Sequence, residues 1–202
     1  MTLRELDRLT KHYDTYFQQS DCKVMHPLKG KVHIDGLLYE PDEKYPFWKL
    51  ATAGASDIKM PPVKNTLANR NEYMMFIDPK EDMMDPDVRY WYYRTLVEVA
   101  AYPLIEKKFI TYGHSVEWPP EDGEEMVCAY LEMPQAIDDV RLLRCKLGLL
   151  KKTACLQVIL LNRAETDKLL EIGPEQFSYY LYPEDEDGAR HFLCQRKRTE
   201  DF

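Results

Sequence analysis

Apolar positions recur every three or four residues at the start of the chain. Leu3, Leu6, Leu9, Tyr13 and Tyr16 or Phe17 share one face when wound as a helix, so residues 1–20 read as an N-terminal helical segment. Thr2 and Glu5 form a capping box at its start, the hydroxyl and carboxylate satisfying backbone N–H groups that have no partner within the helix. A second helix is predicted to begin at Asp85. There the Asp caps, Pro86 takes the first helical position, and Val88, Trp91, Leu96, Val99 and Ala100 form the apolar stripe. A third spans 162–171, with Asn162 and Glu165 as a second capping pair and Gly173-Pro174 as its stop. Residues 175–181 read as one more short helix.

Between the helices the period changes. Val32, Ile34 and Leu38 alternate with His33, Asp35 and Tyr39, and Gly36 interrupts the run. Residues 47–53, 73–77, 109–113, 126–131 and 154–161 are further strand candidates. The last is apolar almost throughout, which predicts a central strand covered on both faces. Strands and helices are interleaved irregularly. The expected fold is therefore mixed α/β, one central mixed sheet with helices on its faces, and 202 residues suit a single domain. Proline- and glycine-bearing loops are marked at 61–62, 119–123 and 183–188, and residues 188–202 read as a tail.

Composition narrows the function. Lys and Arg number 27 against 35 acidic residues, a net charge of −8. That balance repels phosphate backbones and anionic membranes, so neither nucleic acid nor a lipid surface is the expected partner; a basic protein would be attracted. Cys22, Cys128, Cys145, Cys155 and Cys194 are odd in number, scattered and free of Cys-x-x-Cys pairs, which excludes a disulfide or zinc framework by spacing. The charged N-terminus is unlike a signal peptide, and no apolar run approaches the ~20 residues of a membrane span, so a cytoplasmic location is expected.

Candidate chemistry centres on residues 52–61. Gly54-Ala55-Ser56-Asp57 follows a predicted strand and precedes Met60 and a Pro-Pro stop. Such a loop could expose a nucleophile or hold a ligand; the ordinary reading is a turn in which Gly54 supplies positive φ while Ser56 and Asp57 bond the turn itself. The Gly-x-Ser-x-Gly pattern of hydrolases is absent. A metal site could draw on His33, Asp35 and His114, and a dyad on Ser56 and His114, but neither has a supporting spacing. No catalytic residue, metal or cofactor is expected. The paired methionines Met74-Met75 and Met83-Met84, and the clustered Tyr90, Tyr92, Tyr93, Tyr179, Tyr180 and Tyr182, would suit an adaptable contact surface if exposed.

Several of these segments, in this order, resemble the suppressor of fused (SUFU) domain family. The resemblance rests on Val32-His33-Ile34-Asp35, Pro41, the strand at 47–52, Gly54-Ala55-Ser56-Asp57 and Met60-Pro61. It continues through Glu72, then Trp91, Leu96, Ala100 and Pro103, then Gly113-His114-Ser115 with Pro119, and ends on 154–161 with Glu165. It covers roughly residues 31–187. Ala55 stands where the family usually has Met, and Lys59 where Pro is common. The resemblance implies an α/β protein-binding module without enzymatic activity, of the bacterial single-domain type, acting as an immunity protein that neutralises a polymorphic toxin. It would be a monomer or weak homodimer. A small-molecule-binding protein or hydrolase using the 54–57 loop is the alternative, and a scaffolding subunit the third. The residues carried over are Asp35, Gly54, Ser56, Asp57, Met60, Glu72, His114 and Glu165. Of these, Asp35, Gly54, Ser56, Asp57 and Glu72 are expected to converge, linked by side-chain-to-backbone hydrogen bonds; if the bonds of Asp57 are buried, its replacement by Ala is expected to cost about 1–3 kcal/mol.

Overall fold

Every non-proline residue carries a backbone donor and an acceptor that must be paired on burial, and here one sheet pairs most of those in the interior. The computed structural model describes residues 1–27, 32–63, 69–119, 125–181 and 193–197. Its strands are β1 (Lys23–Met25), β2 (Asp35–Tyr39), β3 (Trp48–Ala53), β4 (Asn71–Ile77), β5 (Ser115–Glu117), β6 (Cys128–Glu132), β7 (Arg144–Lys146) and β8 (Lys152–Leu161). The helices are α1 (Leu3–Phe17), α2 (Pro86–Glu106), α3 (Arg163–Ile172) and α4 (Pro174–Leu181). The acidic segment 183–188 and residues 120–123 of the proline-rich loop lie outside the described residues.

The sheet runs β1-β2-β3-β4-β8-β6-β5, and β7 pairs β8 as well. All neighbours are antiparallel except β4 and β8. β8 is the axis of the sheet. One edge meets β4, while the other meets β7 over Lys152–Ala154 and then β6 over Gln157–Leu161. Both faces of β8 are covered, as its apolar run requires. Ala154, Leu156, Val158 and Leu160 join the core under α2, with Tyr73, Met75 and Ile77 of β4. On the other face Cys155 packs into a core under α1, while Ile159 and Leu161 pack under α3 and α4. One face is therefore continuous and the other divided.

Both capping boxes form, at Thr2/Glu5 and at Asn162/Glu165, and Asp85 accepts from the Asp87 amide. Three expectations need correction. Gly36 does not interrupt its strand: it pairs with Thr52 and with Met25, and a Cβ there would meet the Tyr93 ring at 2.7 Å. The glycine is a packing device. Residues 109–113 form no strand, because their backbone serves other partners. The Ile110 carbonyl accepts from Asn71 Nδ2 and its amide donates to Met60 Sδ; ladder bonding begins only at Gly113. Part of the expected tail is built in. Cys194 is fully buried, donates its amide to Phe76 and accepts from the Asp78 amide, filling the stretch of β4 edge beyond the β8 pairing.

Candidate functional site

Gly54 has φ of +122°, and a Cβ at this position would lie 2.4 Å from the His33 carbonyl oxygen. Only glycine permits that crossing. The chain then makes a 3₁₀ turn over Ala55–Asp57, and the amides of Gly54, Ala55 and Ser56 at its start aim inward. They converge on Glu72, which β4 places directly beneath. One carboxylate oxygen accepts from the amides of Gly54 (3.1 Å) and Ser56 (3.0 Å). The other accepts from the Thr52 hydroxyl (2.7 Å) and the Ala55 amide (3.2 Å). Thr52 in turn accepts from the Tyr73 amide. The turn's partial positive end and the carboxylate are thus matched, as at any helix N-terminus.

Glu72 is fully buried. Burial pushes its carboxyl above the ordinary range, and the bonds from Thr52, Ser56 and Gly54 draw it partly back. From the carbonyl side, the Arg70 guanidinium donates to Ser56 (2.6 Å) and Asp57 (3.2 Å). Every face of the loop backbone is held.

This geometry decides what the loop can do. Ser56 is fully buried; its hydroxyl lies near enough to favour the Glu72 carboxylate but falls short of hydrogen-bond geometry. A substrate would have to unfold the turn to reach it. Nor is His114 poised beside it: that ring is exposed, bonds the Thr111 carbonyl at 3.1 Å and abuts Phe109. Asp57 alone turns outward, pairing with Lys151 (2.7 Å) and with the Met1 amino group at about one-third exposure. Met60 is buried in the α2-side core, and Glu165 closes the capping box of α3.

Of the five residues expected to converge, Gly54, Ser56 and Glu72 form one network. Asp57 belongs to it through its carbonyl. Asp35 pairs with Ala53 across β2 and β3, but its side chain serves His26 and His33 instead. Arg70 and Lys151 were not anticipated; nothing in their local spacing marks them.

A second buried carboxylate, Glu132, ends β6. It accepts from the Ser178 hydroxyl of α4 at 2.5 Å and from the Met133 amide at 2.8 Å, and burial raises its carboxyl too. The clustered aromatic and methionine side chains divide: Tyr92, Tyr93, Met74, Met75 and Met83 are core, whereas Tyr90, Tyr179 and Met84 are exposed.

The surface offers a different kind of site beside α2. Trp91, Val99, Tyr102, Val116, Trp118 and Pro119 line a groove, with Arg94, Glu98 and Glu117 among them. It borders β5, the last strand of the sheet path, which has β6 as its one strand neighbour among the described residues. An unpaired strand edge presents backbone donors and acceptors ready to bond an added strand. No helix among the described residues is long and apolar enough to cross a membrane.

No curated protein matches the sequence. Among solved structures, the chain is similar to one in the Sufu–Fu complex, with a TM-score of 0.69 at 12% identity, covering 97% of this chain and 91% of that one. A SUFU homolog from Neisseria gonorrhoeae FA 1090 matches with a TM-score of 0.64 at 11% identity, covering 89% and 90% respectively. Drosophila Suppressor of Fused matches with a TM-score of 0.66 at 12% identity over 94% of this chain, which spans 49% of that protein. These likenesses establish the fold. The family model described as Suppressor of fused protein (SUFU) matches residues 30–187, and with that span of its sequence the chain belongs to the suppressor of fused family.

Proposed function

We propose that the chain is a non-enzymatic, cytoplasmic, single-domain module that binds another protein, in its most specific form an immunity protein that neutralises a toxin. The carrying observation is the aromatic groove along α2 beside the edge of β5 that no strand among the described residues pairs. A partner segment laid along β5 would gain ladder hydrogen bonds while the groove took its side chains. Tryptophan and tyrosine are the residues that most often concentrate binding energy at such surfaces. The related chain solved in the Sufu–Fu complex is consistent with a protein partner. The net charge of −8 would steer a basic toxin toward it. The inward-facing loop around Glu72 supports the same reading, since its polar groups are occupied in holding the backbone.

The genes adjacent to this one are the source of the candidate partner. Expressed alone, a neighbouring toxin should stop growth. Co-expression with this chain should restore it, and the two should elute as one complex. Replacing Trp118 and Tyr102 with alanine should abolish rescue and complex formation while leaving the melting temperature within a few degrees of wild type. Full rescue by that variant would exclude the groove as the binding face. Turnover of an ester, phosphate or peptide substrate that disappears in a stably folded Ser56→Ala chain would exclude the non-enzymatic reading.

A further inference from the structure

His26 follows β1 directly, and His33 lies two residues before β2. The register pairs Met25 with Gly36, so extending the ladder by one step sets His26 opposite Asp35. His33 and Asp35 are two apart on extended chain, which puts them on the same face. Two periodicities, one across the strands and one along them, thus bring three side chains to a point. His26 Nδ1 lies 2.7 Å and His33 Nε2 2.8 Å from the same Asp35 oxygen. The three ligand-type atoms all fall within 4.8 Å of one another, the one such group among the described residues.

We propose that His26, His33 and Asp35 form a binding site for a divalent first-row metal ion of the zinc class, with the remaining coordination positions open to solvent. Imidazole nitrogen and carboxylate oxygen are the donors such ions prefer, and three protein ligands plus water is the arrangement of an open zinc site. The burial pattern suits the role. The Asp35 side chain is 13% exposed and its backbone is fixed by pairing with Ala53 of β3, whereas the two imidazoles are 66% and 67% exposed. A rigid anionic anchor therefore stands between two rings that can swing.

Ligand atoms ~2.0–2.1 Å from a tetrahedral metal sit about 3.3 Å apart. The present nitrogen–oxygen separations need to widen by about half an ångström to reach that spacing, within reach of side-chain rotation. Each ring can bind the metal through the nitrogen that faces Asp35 when its N–H is carried on the outward nitrogen, which leaves the inner lone pair free. The backbone beneath is also constrained, because the His33 carbonyl rests against the Cβ-less Gly54. The site is thereby joined to the Glu72 loop through main chain, although it shares no side chain with it.

Spacing in the chain conceals the site. His33 and Asp35 were visible as a pair, but the third ligand is His26 from the preceding strand end, not His114. Absence of a metal was the expectation from spacing, and the fold alters it.

The test is zinc binding by the intact, untagged, chelator-washed chain, measured by competition with a chromophoric chelator. One equivalent of Zn2+ should bind, and the double variant His26→Ala/His33→Ala should lose at least ~10-fold in affinity. Both histidines are exposed, so that variant should keep the wild-type fold by circular dichroism. His114→Ala should retain one full equivalent. Co2+ substituted into the wild type should give visible d–d bands that the double variant lacks. Less than one equivalent in the wild type, or equal affinity in the double variant, overturns the proposal. The outcome is independent of the toxin experiment, since neither Trp118 nor Tyr102 belongs to this cluster.

Discussion

Among the buried glutamates of the described residues, Glu72 and Glu132 are buried for different reasons. Glu72 sits beneath a turn and accepts three backbone amides and a hydroxyl, so three of its four donors belong to the main chain. Glu132 sits beneath a helix and accepts one amide and the hydroxyl of Ser178, a side chain that α4 carries to it. The first carboxylate holds a loop in its shape; the second helps fasten a helix to the sheet. A buried charge is costly unless its bonds are complete, so the two should respond unequally to the same substitution.

The largest effect is expected at the crossing that makes the Glu72 network possible. Gly54→Ala combines a strained positive φ with a Cβ driven into the His33 carbonyl. We expect a loss of about 3–5 kcal/mol in urea unfolding, the sum of backbone strain and overlap. A loss below ~1 kcal/mol would mean that the loop relaxes freely and is no rigid element.

Next comes the paired test. Glu72→Gln swaps one acceptor for an NH2 group that must face at least one backbone amide, because both oxygens receive N–H donors. It should cost about 2–3 kcal/mol. Glu132→Gln can keep an acceptor toward Met133 and turn its amide toward Ser178, whose hydroxyl can reverse its role. That variant should stay within about 1 kcal/mol of wild type at neutral pH. Equal losses would dissolve the distinction between loop and helix.

Acidity sharpens it further. Burial raises the Glu132 carboxyl above its ordinary value of 4.5, so the folded chain retains a proton that the unfolded chain releases. This contribution is fully present below the unfolded value and is lost as pH rises through the folded one. Stability of Glu132→Gln relative to wild type should therefore increase from mildly acidic to neutral pH, measured by unfolding at each pH. A flat difference would place the folded carboxyl at its ordinary value.

The smallest effect falls on Asp57. A cost of about 1–3 kcal/mol would require its bonds to be buried, and its ion pairs with Lys151 and the Met1 amino group are partly exposed. Asp57→Ala should then cost about 0.5–1 kcal/mol, diminishing in high salt.

These contrasts show where the sequence was legible. Helices with caps could be read to within a few residues, since Thr2/Glu5, Asp85-Pro86 and Asn162/Glu165 are local chemistry. β8 was legible because apolarity on both faces has one cheap explanation. The three-residue strands β1, β5 and β7 were not, as each is too short to display a period. In the site, Gly54 and Glu72 could be matched to a family pattern, but their direct bond depends on β3 pairing β4. Arg70, Ser178 and His26 act only through contacts between segments distant in sequence, which no window of sequence contains.

The parallel pairing of β4 with β8 has a consequence for how the chain is made. The antiparallel meander of β1 to β4 uses contacts close in sequence, whereas Asn71 meets Ala154 only about 80 residues later. Loop-closure entropy must be met before that pairing returns anything, which slows its formation. On the ribosome the first four strands emerge well ahead of β8, and β4, buried along its whole length in the finished protein, waits with an open edge. The turn above Glu72 can already close on β4 at that stage, since Thr52 through Ser56 precede it. The nascent chain would then present a pre-shaped acceptor edge to β8, and the slow step of folding would be the arrival of the strand around which the rest of the sheet is arranged.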